Sequence, residues 1–177
     1  MTLALNLWEY RADPLAVPTG SYENWVKAVT AAHPLDFREV HNDPVNWKPL
    51  RKPLSSCRVG LLTTGGFHLR NQPAFDIEAE SGDYSVREIP SSTPSSDLVI
   101  SHARYNHDDA DEDPNVMFPI DRLKEAVESG VIAGISKTFF GMMGFIPDPT
   151  PLLDVVAPRI ASRFVEEGAD IVILAPG

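Results

Sequence analysis

The feature that most constrains this chain is an alternation of two patterns. Short apolar runs, each ended by turn residues, take turns with longer segments whose apolar residues recur at helical spacing. Val59-Gly-Leu-Leu-Thr63 runs into Thr64-Gly65-Gly66, which reads as a buried strand followed by a turn. Tyr84 to Ile89, Leu98 to Ile100, Val131 to Ser136 and Ala169 to Leu174 are further strand candidates. Asp121 to Ser129 reads as a helix with Leu123, Ala126 and Val127 inward, Asp121 as N-cap and Gly130 just past its end. A second helix has Thr150 as cap and Pro151 at its first position, then Leu153, Val156, Ile160 and Phe164 at helical spacing, and closes at Gly168. Pro158 inside it predicts a kink, because proline removes one hydrogen bond and crowds the preceding turn. Runs of this kind, rather than period-two strands, predict an α/β fold: a mostly parallel sheet flanked by helices, Rossmann-like or flavodoxin-like.

Residues 1–57 follow a different rule. Ser21 to Ala32 carries Trp25, Val26 and Val29 at the spacing of one helix face, while Pro14, Pro18, Pro34, Pro44, Pro49 and Pro53 interrupt any regular ladder around it. This predicts an irregular, proline-rich N-terminal arm with one short helix (1–57), ahead of an α/β domain (58–177).

Charge and cysteine content narrow the setting. A net charge of −10 argues against nucleic acid, whose binding rests on Lys and Arg, and against anionic membrane surfaces. No apolar run approaches the ~20 residues that span a bilayer, and Met1 to Leu7 lacks the basic start and long apolar stretch of a signal peptide. The single cysteine, Cys57, allows neither an internal disulfide nor a cysteine metal cluster. A lone thiol suits a reducing, cytoplasmic location. Cys57 precedes the first strand, the end away from chemistry, and reads as structural.

Candidate chemical groups gather where strands are expected to end. His68 follows the Gly65-Gly66 turn and is either an acid/base or carboxylate-holding group or a loop histidine with one hydrogen bond. The two glycines let backbone amides approach an anion, or simply make the turn. Ser101-His102, with Tyr105 nearby, follows the third strand and offers a second pair of hydrogen-bonding groups. Thr93, Ser95 and Ser96 read as a plain loop or a small nest for a carboxylate. Arg87 and Glu88 read as a structural ion pair. His107-Asp-Asp-Ala-Asp-Glu-Asp113, with Asp109 and Asp113, reads as a solvated acidic loop; it lacks the glycine and spaced oxygens of a calcium loop, and no metal site is assigned. Phe140-Gly-Met-Met-Gly-Phe145 suits a loop packing over a ligand or a partner.

A series of motifs carries a family resemblance. Trp47-Lys-Pro49, Thr63-Thr-Gly-Gly-Phe-His68, Gly82-Asp-Tyr-Ser-Val-Arg-Glu-Ile-Pro90, Thr93-Pro-Ser-Ser96, Ser101-His102 with Tyr105, and Asn115-Val-Met-Phe-Pro-Ile-Asp121 occur in order. Together they resemble the selenoprotein B family of glycine/sarcosine/betaine reductase and D-proline reductase, most closely its D-proline reductase branch. The resemblance begins at Trp47, and the first 46 residues show no counterpart. It implies reductive cleavage of a C–N bond in a small amino-acid-type substrate, with a selenol or thiol as nucleophile. It also implies a partner reductase subunit bearing a pyruvoyl group, and hence a hetero-oligomer. In such proteins the strand matching Ile171 to Ala175 is followed at once by selenocysteine or cysteine. On that pattern the reactive group is expected just beyond Gly177, the chain is read as truncated before it and inactive alone, and Gly65, Gly66, Ser95, Ser96, Tyr105 and Asp109 become substrate-binding candidates, with His68 and His102 assisting. Two other readings stay open: a non-redox small-molecule-binding or regulatory module on the same scaffold, and a metal-assisted hydrolase or lyase using His68, His102 and the acidic loop. An uncovered final strand also predicts some self-association.

Overall fold

A computed structural model describes residues 48–177 and, before them, only Asn24 and Lys27, both helical and exposed. The chain divides into two units, Met1–Asn42 and Asp43–Gly177. The expected arm helix around Trp25, Val26 and Val29 lies otherwise outside the described residues. The second unit carries the sheet.

A single 3-10 turn, Leu54–Ser56, delivers Cys57 into the interior, where its thiol faces the Pro53 carbonyl at 3.3 Å. Strand β1 (Arg58–Thr63) follows and is the centre of the sheet. On one edge it pairs parallel with β5 (Gly134–Ile135) and β6 (Thr138–Gly141), and on the other with β7 (Ile171–Ala175). Strand β3 (Arg87–Pro90) closes the far side of β6 in antiparallel register, Ile89 opposite Phe139. The fold is therefore mixed α/β with a mostly parallel sheet. A separate antiparallel ribbon joins β2 (Phe67–Leu69) to β4 (Leu98–Ile100), with His68 opposite Val99.

Alternation along β1 assigns its two faces. Val59 and Leu61 face a core closed by helix α2 (Ile120–Glu128), with Ile89, Phe118, Ile120, Leu123 and Phe139 all buried. Gly60 and Leu62 face helix α3 (Ala157–Glu166), whose Ile160 and Phe164 pack on Phe140 and Met142. A side chain at Gly60 would meet the Phe164 ring, Cδ1 at 2.6 Å, so the ring lies directly on the strand. A short helix α1 (Asp108–Glu112) carries part of the acidic run.

Several expectations change in detail, each for a local reason. Tyr84 is outside β3, because the Asp83 carboxylate gathers the amides of Asp76 and Ser85 and offers the backbone an alternative to the ladder. Arg87 and Glu88 do not pair with each other. Neighbours on a strand point to opposite faces: Arg87 donates to the carbonyls of Pro73 and Ala74, while Glu88 meets Arg159 and Arg163. Helix α2 begins one residue early, at Ile120, and Asp121 is not its cap; the Asn115 side chain accepts the Asp121 N–H at 2.9 Å instead. The expected strand from Val131 shrinks to Gly134–Ile135, since Gly130 takes φ +72° and the amides of Val131 and Ile132 turn back to the Ala126 carbonyl. Phe140 and Gly141 consequently belong to β6, and the loop starts at Met142. Just before Pro158, Leu152–Val156 forms a π turn, with the Ala157 N–H reaching back to the Leu152 carbonyl. Pro158 then falls in the first turn of α3, where its missing donor costs little. Ribbon strand β2 is an element that the sequence pattern presents as loop.

Candidate functional site

The turn after β1 is the point where four elements meet. The Thr64 N–H donates to the Ala175 carbonyl at the end of β7 (3.1 Å), the Gly66 N–H to Met142 just past β6 (2.7 Å), and the Ser101 N–H to the Gly66 carbonyl just past β4 (2.9 Å). Gly66 takes φ +78°, and a side chain there would run into the Ser101 carbonyl, so only glycine makes this turn. Gly65 is less tightly confined, with Met117 Cε at 3.1 Å and Thr63 Oγ1 and the Tyr105 hydroxyl at 3.2 Å from where a side chain would begin.

Tyr105 donates its hydroxyl to the Gly65 carbonyl at 2.7 Å. Burial, followed by the nearby Asp111 carboxylate, pushes its ionisation up to about 12, so at neutral pH it is a fixed donor. His102 lies edge-on to it, ring centroids 4.7 Å apart. Burial, then the neighbouring charges of His107 and Arg104, push His102 down to about 4, leaving a neutral imidazole at pH 7. Both His102 ring nitrogens face backbone donors: the Arg104 N–H at Nδ1 (3.0 Å) and the Gly144 N–H at Nε2 (3.3 Å). A neutral ring has one lone pair for two donors. The ring therefore accepts fully from one amide at a time and is held between its own loop and the loop after β6.

The end of β7 reaches the same place. The Gly177 N–H donates to Thr64 Oγ1 at 3.1 Å, and a side chain at Gly177 would lie 2.5 Å from Gly65 Cα and 3.1 Å from Met117 Cε. An apolar cavity of about 670 Å³ opens at Thr64 and Gly144 and runs between α3 and β7, past Leu62, Ile146, Leu152 and Leu174.

The candidates from sequence thus separate. Gly65, Gly66, His102 and Tyr105 come together. His68 is not on a loop but in β2, buried; its Nδ1–H donates to the Leu69 carbonyl (2.8 Å) and its Nε2 accepts from the Ser101 hydroxyl (2.9 Å). It therefore touches the cluster through Ser101, with both nitrogens engaged. Ser95 and Ser96 lie in the turn before β4, at the opposite end of that strand from His102, and the adjoining Thr93 carbonyl accepts from Lys124. Asp109 is exposed on α1; the acidic run approaches the cluster through Asp111, bonded to His107 at 2.6 Å, whose ring faces Tyr105. Asp113 caps the turn at Pro114–Val116, accepting from the Asn115 N–H. Among the described residues no group of three or more His, Cys, Asp or Glu could hold a metal ion. Thr64, Met117 and Arg104 are site residues that the sequence pattern does not single out, whereas Gly144 belongs to the run 140–145 read as a loop over a ligand or partner. Thr64 and Met117 lie inside the family-like motifs; for Arg104 no sequence signal exists.

Three comparisons bear on this arrangement. Residues 34–176 match the family described as Glycine/sarcosine/betaine reductase selenoprotein B, so the likeness starts well before Trp47. The chain is 34% identical over 134 residues to D-proline reductase subunit gamma of Acetoanaerobium sticklandii, covering 76% of this chain and 54% of the relative. It is 25% identical over 104 residues to the Sarcosine reductase complex component B subunit beta of Peptoclostridium acidaminophilum, covering 58% of this chain and 24% of that protein. The chain thus spans about half or less of the length of these relatives. No solved structure matches. With motifs, sheet and matched residues in agreement, the chain belongs to the glycine/sarcosine/betaine reductase selenoprotein B family.

Proposed function

We propose that the loops beyond β1, β4, β6 and β7 form the substrate side of a reductase site that cleaves a C–N bond of a small amino-acid-type substrate. The observation that carries this reading is the convergence of His102, Tyr105 and the end of β7 on the Thr64-Gly65 turn. Ligands of open α/β sheets sit beyond the carboxyl ends of parallel strands, and α2 and α3 lie on opposite faces of β1, as a Rossmann-like arrangement requires.

Within that reading the residues have distinct tasks. Tyr105 holds the Gly65 carbonyl and hence the shape of the turn. His102 stays uncharged and ties its own loop to Gly144, whose N–H points at Nε2. His68 positions Ser101, and through it the His102 loop. The selenocysteine or cysteine that the resemblance places after β7 would meet Thr64, Gly65 and Met117, the residues surrounding Gly177. Such a group supplies the nucleophile, and a pyruvoyl group on a partner subunit supplies an electrophile for the substrate amine. A cytoplasmic location accompanies this chemistry, since a thiol or selenol must stay reduced. No helix among the described residues is long and apolar enough to cross a membrane.

The test is dithiol-dependent consumption of D-proline, glycine, sarcosine and betaine. The chain, joined to the segment expected after β7 and purified with its partner subunit, should consume at least one of the four. The 177-residue chain alone should consume none. Turnover by the chain alone would refute the division of labour, and an assembled complex inert toward all four would refute the reductase reading.

A further inference from the structure

Arg104 is the one Lys or Arg in the loops that form the cluster, residues 64–66, 101–107, 142–146 and 176–177. Its surroundings are rich in possible partners, since Asp108, Asp109, Asp111 and Glu112 follow on α1. Yet among the described residues no carboxylate pairs with it. Its guanidinium instead lies over the Phe145 ring, 4.2 Å from the centroid. An arginine stacked on an aromatic face keeps its edge donors free for an anion, and the stack limits the rotamer freedom lost on binding.

The perch is itself fixed at both ends. The Phe145 backbone packs so closely on Gly82, at φ +73°, that a side chain on Gly82 would run into the Phe145 carbonyl. The Arg104 N–H is held by His102 Nδ1 at 3.0 Å. Gly144, next to Phe145, is exposed, and its N–H meets the buried His102 Nε2 at 3.3 Å. A neutral imidazole accepts fully from only one of these two amides at a time, which leaves the exposed Gly144 N–H able to turn to a ligand. An oxygen anion is the group that suits both this N–H and the guanidinium. Gly144 and Thr64 also line the apolar cavity of about 670 Å³, so an aliphatic body has room next to the Gly144 N–H.

We infer that Arg104, laid over Phe145, anchors the carboxylate of a small aliphatic monocarboxylic acid, with the Gly144 N–H as its secondary donor. This deepens the proposed function and rests on it. Arg104 sets specificity for the acid over its neutral amide, because a guanidinium pairs bidentately with a carboxylate and has no matching pair in a carboxamide.

The experiment uses the full chain, labelled for amide NMR, titrated with D-proline and separately with D-prolinamide. In the wild type, D-proline shifts the amides of Gly65, His102 and Gly144 saturably, and binds at least tenfold more tightly than the amide. R104Q lowers D-proline affinity about tenfold or more and leaves D-prolinamide within twofold, so the preference disappears. R104K, which keeps charge but not the fork, falls between the two. A spectrum of R104Q unchanged outside the loops shows that the fold is intact, and a collapsed one passes the decision to R104K. Loop shifts with equal affinity for acid and amide, or unaffected by both variants, overturn the role of Arg104 and leave the site standing. Absence of any saturable loop shift with either probe overturns the site reading as well.

Discussion

The two faces of β1 are built from the same strand, yet they do different work. Toward α2, Val59 and Leu61 meet a closed layer in which Phe118 stacks on Phe67 (5.5 Å) and stands edge-on to Phe139 (6.0 Å). Toward α3 the strand offers Gly60 and Leu62; Phe164 settles on the glycine and stands edge-on to Phe140 at 5.0 Å. Beyond that contact the second face is open, since α3 leaves Leu174 of β7 68% exposed along the apolar cavity. The first face supplies stability. The second leaves a route to the turn at Thr64. One sheet can do both because successive side chains point in opposite directions, so filling one side places no demand on the other.

This contrast is open to attack from either side. The largest effect is expected on the closed face: Phe139→Ala removes a fully buried ring with no room to collapse and should cost about 3–5 kcal/mol. Urea unfolding measures it, and a loss no larger than that of a partly exposed residue would break the distinction. Acid should act next, at the rim. The folded His102 takes up a proton only near pH 4, whereas an ordinary histidine does so near 6.5. Between those values the unfolded chain binds more protons, so stability is full above about pH 6.5 and falls as pH drops toward 4, by on the order of 3 kcal/mol. His102→Gln should flatten that slope in denaturation curves across the window; an unchanged slope would show that the rim ring is not the group responsible. The smallest effect is expected on the open face. Gly60→Val drives a side chain into Phe164, but the ring can shift toward the cavity, so the cost should be about 1–3 kcal/mol by urea titration. A cost matching that of Phe139→Ala would mean the second face is as tightly packed as the first.

Much of the sheet is legible in the amino-acid sequence. Val59–Thr63, Leu98–Ile100 and the strand near Ile171–Ala175 announce themselves as short apolar runs, and Ile160 and Phe164 as one face of a helix. Details fail where local hydrogen bonding outcompetes the pattern, as with Asp83 before β3, Asn115 ahead of α2, and the amides of Val131 and Ile132 after Gly130. In the site, the Gly65-Gly66 turn, His102 and Tyr105 can be named from their motifs. Arg104 cannot, because what distinguishes it is a ring from a loop some forty residues on.

The sequence by itself determined the alternation of strands and helices, the family, and the glycine turn on which the loops converge. Those are properties of neighbouring residues, set by side-chain period and by the φ values that only glycine adopts freely. The tertiary structure alone decided that β2 and β4 form a separate ribbon, that His68 is satisfied within it, and that His102 is neutral. Pairing, burial and charge state depend on groups distant in the chain, whose approach no local pattern encodes.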